Sequence, residues 1–292
     1  MTAPDETGVT TKGPRRRPAI SAVLNTLNEE RRIGYALRSV VEWVDEIVVV
    51  DMESDDRTAE LARQFGARVF THERTGIAEP ARGFAIQQAT GDWVLVLDAD
   101  ELVPPRLARE LRRIADHEIC DAVSIPWLNY LLGGPLMHTG WGPDQDRHVR
   151  FFRSGSLRTT SGVHTFGDFQ PDTRIYRLPY REGLAIVHFN YLDVAHFLEK
   201  LNRYTDFEVD GVASTTRGRP CAAAVAATRE FTRRYIKDGG WLDGWRGFYL
   251  SCLMAMYRIV AVAKVRERAE VGERQDVEAR YRAEAERWLS VD

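Results

Sequence analysis

The chain has 292 residues, enough for one large domain or one domain with a substantial appendage, and 44% of them are apolar, so an ordinary globular core is available. Its 40 basic and 43 acidic side chains leave a formal net charge of -3, which offers no global field to recommend nucleic acid as a partner. Cys120, Cys221 and Cys252 are far apart, odd in number and without CxxC or Cys/His zinc spacing, which argues against a disulfide framework or a structural zinc site and fits a reducing compartment.

Residues 1–18 contain the run Arg15, Arg16, Arg17 and lack the apolar h-region of a signal peptide. They are expected to form a solvated, flexible lead-in to a chain that stays in the cytoplasm. Between Ile20 and about Tyr130, short β-branched runs alternate with amphipathic stretches, the pattern of strands joined by crossover helices in a mostly parallel sheet. "AISAVL" is the first strand. Asn28 then reads as a helix N-cap, with Glu29 and Glu30 in the first turn and Ile33, Leu37, Val40, Val41 and Val44 spaced along one face. "EIVVVD" is a second strand, apolar throughout because helices cover both of its faces. A capped helix closed by Gly66, a third strand "ARVFT" and a helix ended by Gly91 lead into a fourth strand, "DWVLVLDAD". Pro104 and Pro105 start another helix, and "CDAVSIPWLNY" is again strand-like.

Residues 131–192 are rich in Gly, Pro, aromatic and His residues, with short strands such as "HVRFFR" and "GLAIVHF", a composition suited to building a site. His188, inside an apolar strand, reads as a satisfied core residue. From residue 193 to 292 the chain turns helical. The expected organisation is therefore a lead-in over 1–18, a catalytic domain over 19–192 with its halves meeting at 130/131, and a helical C-terminal region over 193–292.

In an open α/β sheet, ligands sit at the carboxyl ends of the strands. Here the second strand ends in Asp51 and the fourth in Asp98 and Asp100, with Glu101 behind them. Acids gathered at one sheet edge repel each other unless a cation or a hydrogen-bonding ligand compensates them. A D-x-D in that position suits Mg²⁺ or Mn²⁺, held by one or two carboxylates with a ligand diphosphate completing the shell.

"SAVLNTLNEE", "VDEIVVVDMESDDRT" and "ARGFAIQQATGDWVLVLDADE", in this order, resemble the nucleotide-binding half of glycosyltransferase family 2. "GWGPDQDRHVRFFR", "HFNYLD", "FLEKLNRYT" and "GGWLDGWRGFYLS" are similar to its subfamily around the lipopolysaccharide-core β-1,4-glucosyltransferases. The resemblance implies a GT-A fold, a Rossmann-like and mostly parallel sheet with helices on both faces, here followed by a helical extension. It further implies a nucleotide-diphosphate sugar donor, a UDP-sugar first among them, and a divalent metal. Thr26, Leu27, Asn28, Glu29, Asp51 and Ser54 would then hold the nucleoside, with Asp51 accepting from the uracil ring. Arg82 would meet the diphosphate or ribose, while Asp98, Ala99 and Asp100 would serve ribose and metal. His164 would be a third metal ligand or a donor to the diphosphate, with a packed structural histidine as the alternative.

Three positions depart from the family pattern. Asn25 and Thr26 stand where many relatives have Pro-Thr, Gly83 replaces a common Asn, and Thr165 follows Val163 and His164 where the subfamily usually has Glu. An inverting transfer needs a carboxylate to deprotonate the acceptor hydroxyl. Without that Glu, Asp144 and Asp146 are the candidates, and Asp146 is preferred because "DRHVRFFR" matches the family pattern best. His138 and Trp141 either line the sugar or acceptor pocket or simply pack.

The segment "GFYLSCLMAMYRIVAVAK" is short for a transmembrane helix and is interrupted by Arg258. With Trp241, Trp245 and Tyr249 at an interface and Lys264, Arg266 and Arg268 near anionic head groups, it suits peripheral attachment to the inner face of the plasma membrane. Packing on the domain or in a homodimer is the competing use. The expected activity is metal-dependent, inverting transfer of a sugar to a hydroxyl of a glycan, a lipid-linked glycan or a small molecule. A nucleotidyltransferase is the enzymatic alternative, and a catalytically idle scaffold recruiting a membrane or partner is the non-enzymatic one.

Overall fold

The structure is a computed structural model that describes residues 16–74, 79–158, 168–211 and 220–290. It divides into two compact units, one of residues 1–124 and 149–178 and the other of residues 125–148 and 179–292.

The first unit is built on β1 (Ile20–Thr26), β2 (Glu46–Asp51), β3 (Arg68–Thr71) and β4 (Trp93–Asp98), laid side by side in the order β3-β2-β1-β4 and all parallel. The connections are α1 (Ile33–Val40), α2 (Thr58–Gln64) and α3 (Glu79–Gln88). After β4 come β5 (Glu101–Leu102), α4 (Pro105–His117) and β6 (Ala122–Leu131), whose first residues pair in parallel with the later β9 (Ile175–Arg177). The antiparallel neighbour of β4 is β8 (Arg147–Arg153).

Strand side chains alternate between faces. One face of the sheet puts Val23, Val48, Val50, Val94 and Val96 into a core with Ala81 and Ala85 of α3 and with Phe152. On the other, Leu24, Val49, Leu95 and Leu97 are equally buried. Burial on both faces explains the unbroken apolar runs in the sequence. α1 buries Ile33, Ala36, Leu37 and Val40, and α4 buries Leu107, Leu111 and Ile114, stripes at helical spacing.

The expected N-cap at Asn28 is corrected. Asn28 adopts a left-handed backbone (φ 56°), and α1 starts only at Ile33, without a side-chain cap. The Asn28 side chain instead reaches the loop after β2, where its Oδ1 accepts from Asp55 N at 2.8 Å. Asn tolerates this conformation better than most residues, and the tertiary bond outcompetes the local cap. The face expected to continue through Val41 and Val44 also stops early, since α1 ends at Val40 and Val41 is exposed. Arg16 and Arg17 are exposed but engaged, Arg16 with Asp92 at 2.8 Å and Arg17 with Asp116 at 3.6 Å. Gly91 is required for close approach rather than to end α3, because a Cβ there would lie 2.7 Å from Ser21 Oγ and 2.8 Å from Ser21 N.

The second unit contains the rest of β6 with β7 (Gly134–Pro135), β10 (Ile186–Tyr191), and the helices α5 (Val194–Gly211), α6 (Pro220–Thr232), α7 (Gly244–Glu270) and α8 (Arg274–Leu289). β10 runs parallel to β6, with Ile186 opposite Trp127. Its core joins Leu131, Leu136, Phe197, Leu201 and Leu250, with Trp141, Tyr191 and Met254 packed against them. The segment Gly240–Glu270 is longer than the apolar run in the sequence suggests, and by length and composition it is able to cross a membrane.

Candidate active site

The parallel order β3-β2-β1-β4 places a topological switch point between β1 and β4, and in such sheets the ligand crevice opens there, at the strands' carboxyl ends. Register alone gathers polar groups at that point. Asn25 of β1 lies opposite Asp98 of β4, and Thr26 lies opposite Asp51 of β2. Asn25 and Asp51 are buried, and Asn25 Oδ1 has no hydrogen-bond partner among the described residues. A buried polar atom of this kind calls for a ligand or an ordered water.

The loops after β1 and β2 are stitched together by reciprocal bonds from side chains to backbone. Asp51 Oδ2 accepts from Ser54 N at 3.0 Å, Ser54 Oγ accepts from Asn28 N at 2.9 Å, and Thr58 Oγ1 accepts from Glu29 N at 2.7 Å. Asp56 accepts from Glu30 N and from Thr58 N; burial works against its charge, but these bonds and the Thr58 hydroxyl prevail and lower its pKa. Thr26 Oγ1 lies 3.5 Å from Asp51 Oδ1, at the outer limit of a hydrogen bond. The effect is a cross-linked rim that holds the buried Asp51 at the carboxyl end of β2. Leu27 packs against the valine face of the core, and Ala99 is buried in the turn after β4.

The acid cluster is compensated by guanidinium groups. Asp98 accepts from Arg82 Nη2 at 2.7 Å on one oxygen and from Arg150 Nη2 at 3.1 Å on the other. Arg150 also lies 3.7 Å from Glu101, whose side chain is fully buried and whose Oε2 accepts from Asp98 N at 2.8 Å. Arg32 chelates Glu29 at 2.7 and 2.9 Å, while its buried Nη1 makes no hydrogen bond among the described residues and stands 3.9 Å from Asp100 Oδ2. Arg82, expected to meet a diphosphate, is thus brought to the acids. Arg32 and Arg150 were not singled out from the sequence. The only hint of Arg150 was a charge placed between apolar neighbours in "HVRFFR".

Whether these residues suit a divalent cation follows from their chemistry. Asp98 and Asp100 offer hard oxygen donors at a strand end, and no group of three or more His, Cys, Asp or Glu side chains able to hold a metal occurs among the described residues. Such a pair fits a cation that shares its shell with a ligand diphosphate and does not fit an all-protein cage. His164, the expected third ligand, and Thr165 lie outside the described residues.

In the second unit, Asp146 is half-buried. Its Oδ2 accepts from Asn129 Nδ2 at 2.7 Å and its Oδ1 pairs with His148 Nε2 at 2.9 Å. Asn129, buried within β6, also donates to Trp141 O at 2.9 Å, and its Oδ1 lies 2.8 Å from His188 Nδ1. His188 is therefore a satisfied, buried residue, as its apolar surroundings suggested. Asp144 is exposed, and its charge, after burial and Glu182, helps raise the Tyr180 pKa. The Trp141 ring stacks on Tyr191 with 5.9 Å between centroids, and Arg234 lies over it at 5.3 Å. His138 donates its backbone N–H to Asp243 Oδ2 at 3.0 Å.

The loop carrying Asp146 is clamped by the helices. Asp243 accepts from Met137 N, His138 N and Thr139 Oγ1, and buried Arg234 joins Thr139 O to Glu230. Gly142 accepts from Gln145 N and Asp146 N, and a Cβ on it would stand 2.0 Å from Met137 O. Gly142→Ala is accordingly expected to lower stability by about 1–3 kcal/mol, the usual cost of overpacking, and to displace Asp146. Urea denaturation measures the first effect, and an unchanged midpoint would show that the loop yields freely.

The profile of the family described as "Glycosyl transferase family 2" matches residues 21–182, more than half of the chain. The chain belongs to glycosyltransferase family 2. It is a glycosyltransferase that takes its sugar from a nucleotide-sugar donor, and the nucleotidyltransferase and idle-scaffold alternatives fall with that match. An uncharacterized glycosyltransferase of Rickettsia felis is 27% identical over 261 residues, covering 85% of this chain and 89% of that protein. The lipopolysaccharide core biosynthesis glycosyltransferase LpsC of Rhizobium meliloti is 27% identical over 267 residues, covering 89% and 96%. Among solved structures, glucosyl-3-phosphoglycerate synthase from Mycobacterium tuberculosis, crystallised with Mn²⁺, UDP and glucosyl-3-phosphoglycerate, is similar at 27% identity and a TM-score of 0.32. That match covers 39% of this chain and less than half, 44%, of the synthase.

Proposed function

We propose that this family 2 member is a metal-assisted, inverting transferase that moves a sugar from a UDP-sugar to a hydroxyl of a glycan, a lipid-linked glycan or a small molecule. The observation that carries the reading is the gathering of Asn25, Asp51, Asp98 and Asp100 at the carboxyl ends of three adjacent parallel strands, with Arg32, Arg82 and Arg150 among them. Asp51, buried and held by Ser54, accepts from the imide N–H of a uracil, and Asn25 Oδ1 supplies a further acceptor. Asp98 and Asp100 would hold Mg²⁺ or Mn²⁺ together with the diphosphate, and a cation bound there would supply positive charge against the charge of the departing nucleotide. The guanidinium groups of Arg82 and Arg32 stabilise the same growing negative charge from the protein side. The acceptor proton is taken by Asp146, with Asp144 of the same loop as the alternative.

The experiment is release of nucleoside diphosphate from UDP-glucose, UDP-galactose, UDP-N-acetylglucosamine and GDP-mannose, each with Mn²⁺. Faster release from the UDP-sugars supports the reading, and a preference for GDP-mannose contradicts the role given to Asp51.

For the acceptor, Trp241, Leu242, Trp245, Phe248 and Tyr249 form an exposed aromatic and aliphatic set around the start of α7, and Arg246 lies 4.5 Å from the Trp245 ring centroid. Amphipathic rings of this kind favour the interface between lipid and water. Lys264 is not available to head groups, because it is bonded to Asn202 and Asp206 of α5; Tyr257 likewise bonds Glu208. These bonds tie α7 to its own unit and favour peripheral attachment over spanning. The triple substitution Trp241→Ser, Trp245→Ser, Tyr249→Ser is expected to cut sedimentation with phosphatidylglycerol-containing vesicles and to leave UDP binding unchanged. Equal sedimentation of both proteins would show that the aromatic set faces something other than lipid.

A further inference from the structure

Between α1 and α4, both in the first unit, lies a cavity of about 720 Å³, a size within the range of small-molecule sites. None of the residues given a part in donor binding lines it. Its apolar wall is made by Tyr35 and Trp43 on the α1 side and by Val103, Pro104 and Ala108 on the α4 side. The two sides are tied together, since Trp43 Nε1 donates to Ser39 O at 2.9 Å and Ser39 Oγ accepts from Val103 N at 3.1 Å.

The same cavity is basic, with Arg38, Arg109, Arg112 and Arg113 set against Glu42 and Asp116. Arg113 is paired with Glu110 at 2.7 Å, but Arg38 and Arg109, both exposed, make no ion pair among the described residues. Arg112 is the centre of the surplus. It is 8% exposed, and its Nη2 donates to Pro18 O at 2.8 Å, while Nε and Nη1 make no hydrogen bond among the described residues. Two carboxylates stand nearby, Asp45 at 3.6 Å and Asp116 at 3.7 Å, and both are shared. Asp45 Oδ2 accepts from Ile20 N, and Asp116 Oδ1 also faces Arg17 at 3.6 Å. Burial, aided by the like charge of Arg17, lowers the Arg112 pKa in spite of these acids, the mark of a cation short of compensation. α4 adds to the field, because it starts at the cavity wall with Pro104 and Pro105 and carries neither an acid in its first turn nor a side-chain cap.

We propose that this cavity is a second binding site, for a small amphipathic anion with a phosphate or carboxylate head on an aliphatic or aromatic body. The head is held by Arg38 and Arg109 and compensates the buried charge of Arg112, while the body covers the Tyr35 and Trp43 rings. Neither half suffices alone. Free phosphate forgoes the apolar wall, and a neutral amphiphile leaves the guanidinium groups without a counter-charge. Recessed between two helices, the site takes single dissolved molecules and not a lipid surface.

The test is calorimetric titration of the full chain with octyl phosphate, inorganic phosphate and octyl glucoside, each amphiphile kept below its micelle concentration. Octyl phosphate is expected to bind at least about tenfold more tightly than either of the others. Arg38→Gln combined with Arg109→Gln, both at exposed positions, is expected to weaken it by about tenfold or more, the scale of hydrogen bonds to charged groups. The same variant is expected to bind UDP with Mn²⁺ as wild type does, which also shows that it is folded. A charge-matched pair on α8, Arg274→Gln with Arg282→Gln, is expected to leave octyl phosphate binding unchanged. Equal affinity for octyl phosphate and octyl glucoside, no weakening in the Arg38 and Arg109 variant, or equal weakening by the α8 pair overturns the proposal. Binding to phosphatidic acid vesicles without binding of monomeric octyl phosphate also overturns it, by assigning the groove to a lipid surface. So does a dimer that binds no octyl phosphate and that the Arg38 and Arg109 variant dissolves in sedimentation, which assigns the groove to a second copy of the chain.

Discussion

Asp146→Asn is expected to lower turnover by roughly 10² to 10⁴ and to leave nucleotide affinity unchanged. The two donors around Asp146 dictate the outcome. Asn129 Nδ2 must keep an acceptor, because its other amide hydrogen goes to Trp141 O and its Oδ1 is matched to His188 Nδ1. The new amide therefore turns its oxygen to Asn129 and its NH₂ to His148. That donor forces Nε2 of His148 to accept, which moves the ring proton to Nδ1 and leaves no lone pair facing solvent. The amide also has no carboxylate with which to take a proton from a hydroxyl. Steady-state kinetics alongside UDP titration checks both halves of the expectation. If Asp144→Asn shows the loss and Asp146→Asn does not, the exposed carboxylate of the same loop is the base.

Arg150→Met is expected to destabilise the protein by about 3–5 kcal/mol, the scale for removing one partner of a buried charge cluster. Arg150 is buried, and it faces both Asp98 and a Glu101 side chain with no exposure at all. Methionine matches much of its volume, so the cost comes from charge left uncompensated, with little from an added cavity. Arg82 still reaches Asp98 from the other side, at 2.7 Å, so the charge on Asp98 stays partly compensated. Urea denaturation gives the number. A loss below about 1 kcal/mol would place this cluster in the range of exposed ion pairs and would remove Arg150 from the account of the donor site.

These residues differ in how legible they were. The strands β1, β2 and β4 could be read because a strand buried on both faces must be apolar throughout, and each run stops where its strand does. Asp51 and Asp98 were legible for the same reason, as the first acids after such runs. The four long C-terminal helices followed from composition and periodicity. Asn28 misled because Asn suits both an N-cap and a left-handed turn, and only its partner in the next loop, Asp55 N, decides between them. Arg32 and Arg150 were hidden because a guanidinium in an amphipathic pattern looks the same whether it faces water or a buried carboxylate. The hydrogen-bonded set of Asn129, Asp146 and His148 was hidden for a different reason. His148 follows Asp146 by two residues, but Asn129 arrives from another strand, and nothing in its own surroundings marks it as an anchor. The compact units likewise interleave along the chain, dividing within β6 and β8, which no shift in composition announces.

The central claim is that the acids at the end of β4 hold a divalent cation together with the donor's diphosphate, and the most direct measurement is the thermal stability of wild type and Asp100→Ala with UDP, each with and without Mn²⁺. A ligand at a hundredfold excess over its dissociation constant stabilises the native state by about 2.7 kcal/mol. Wild type is predicted to show a shift on that scale only when UDP and Mn²⁺ are present together, and Asp100→Ala is predicted to melt cooperatively but to lose the part that depends on Mn²⁺. A UDP shift in wild type that is indifferent to Mn²⁺, or a full Mn²⁺-dependent shift in Asp100→Ala, would contradict it.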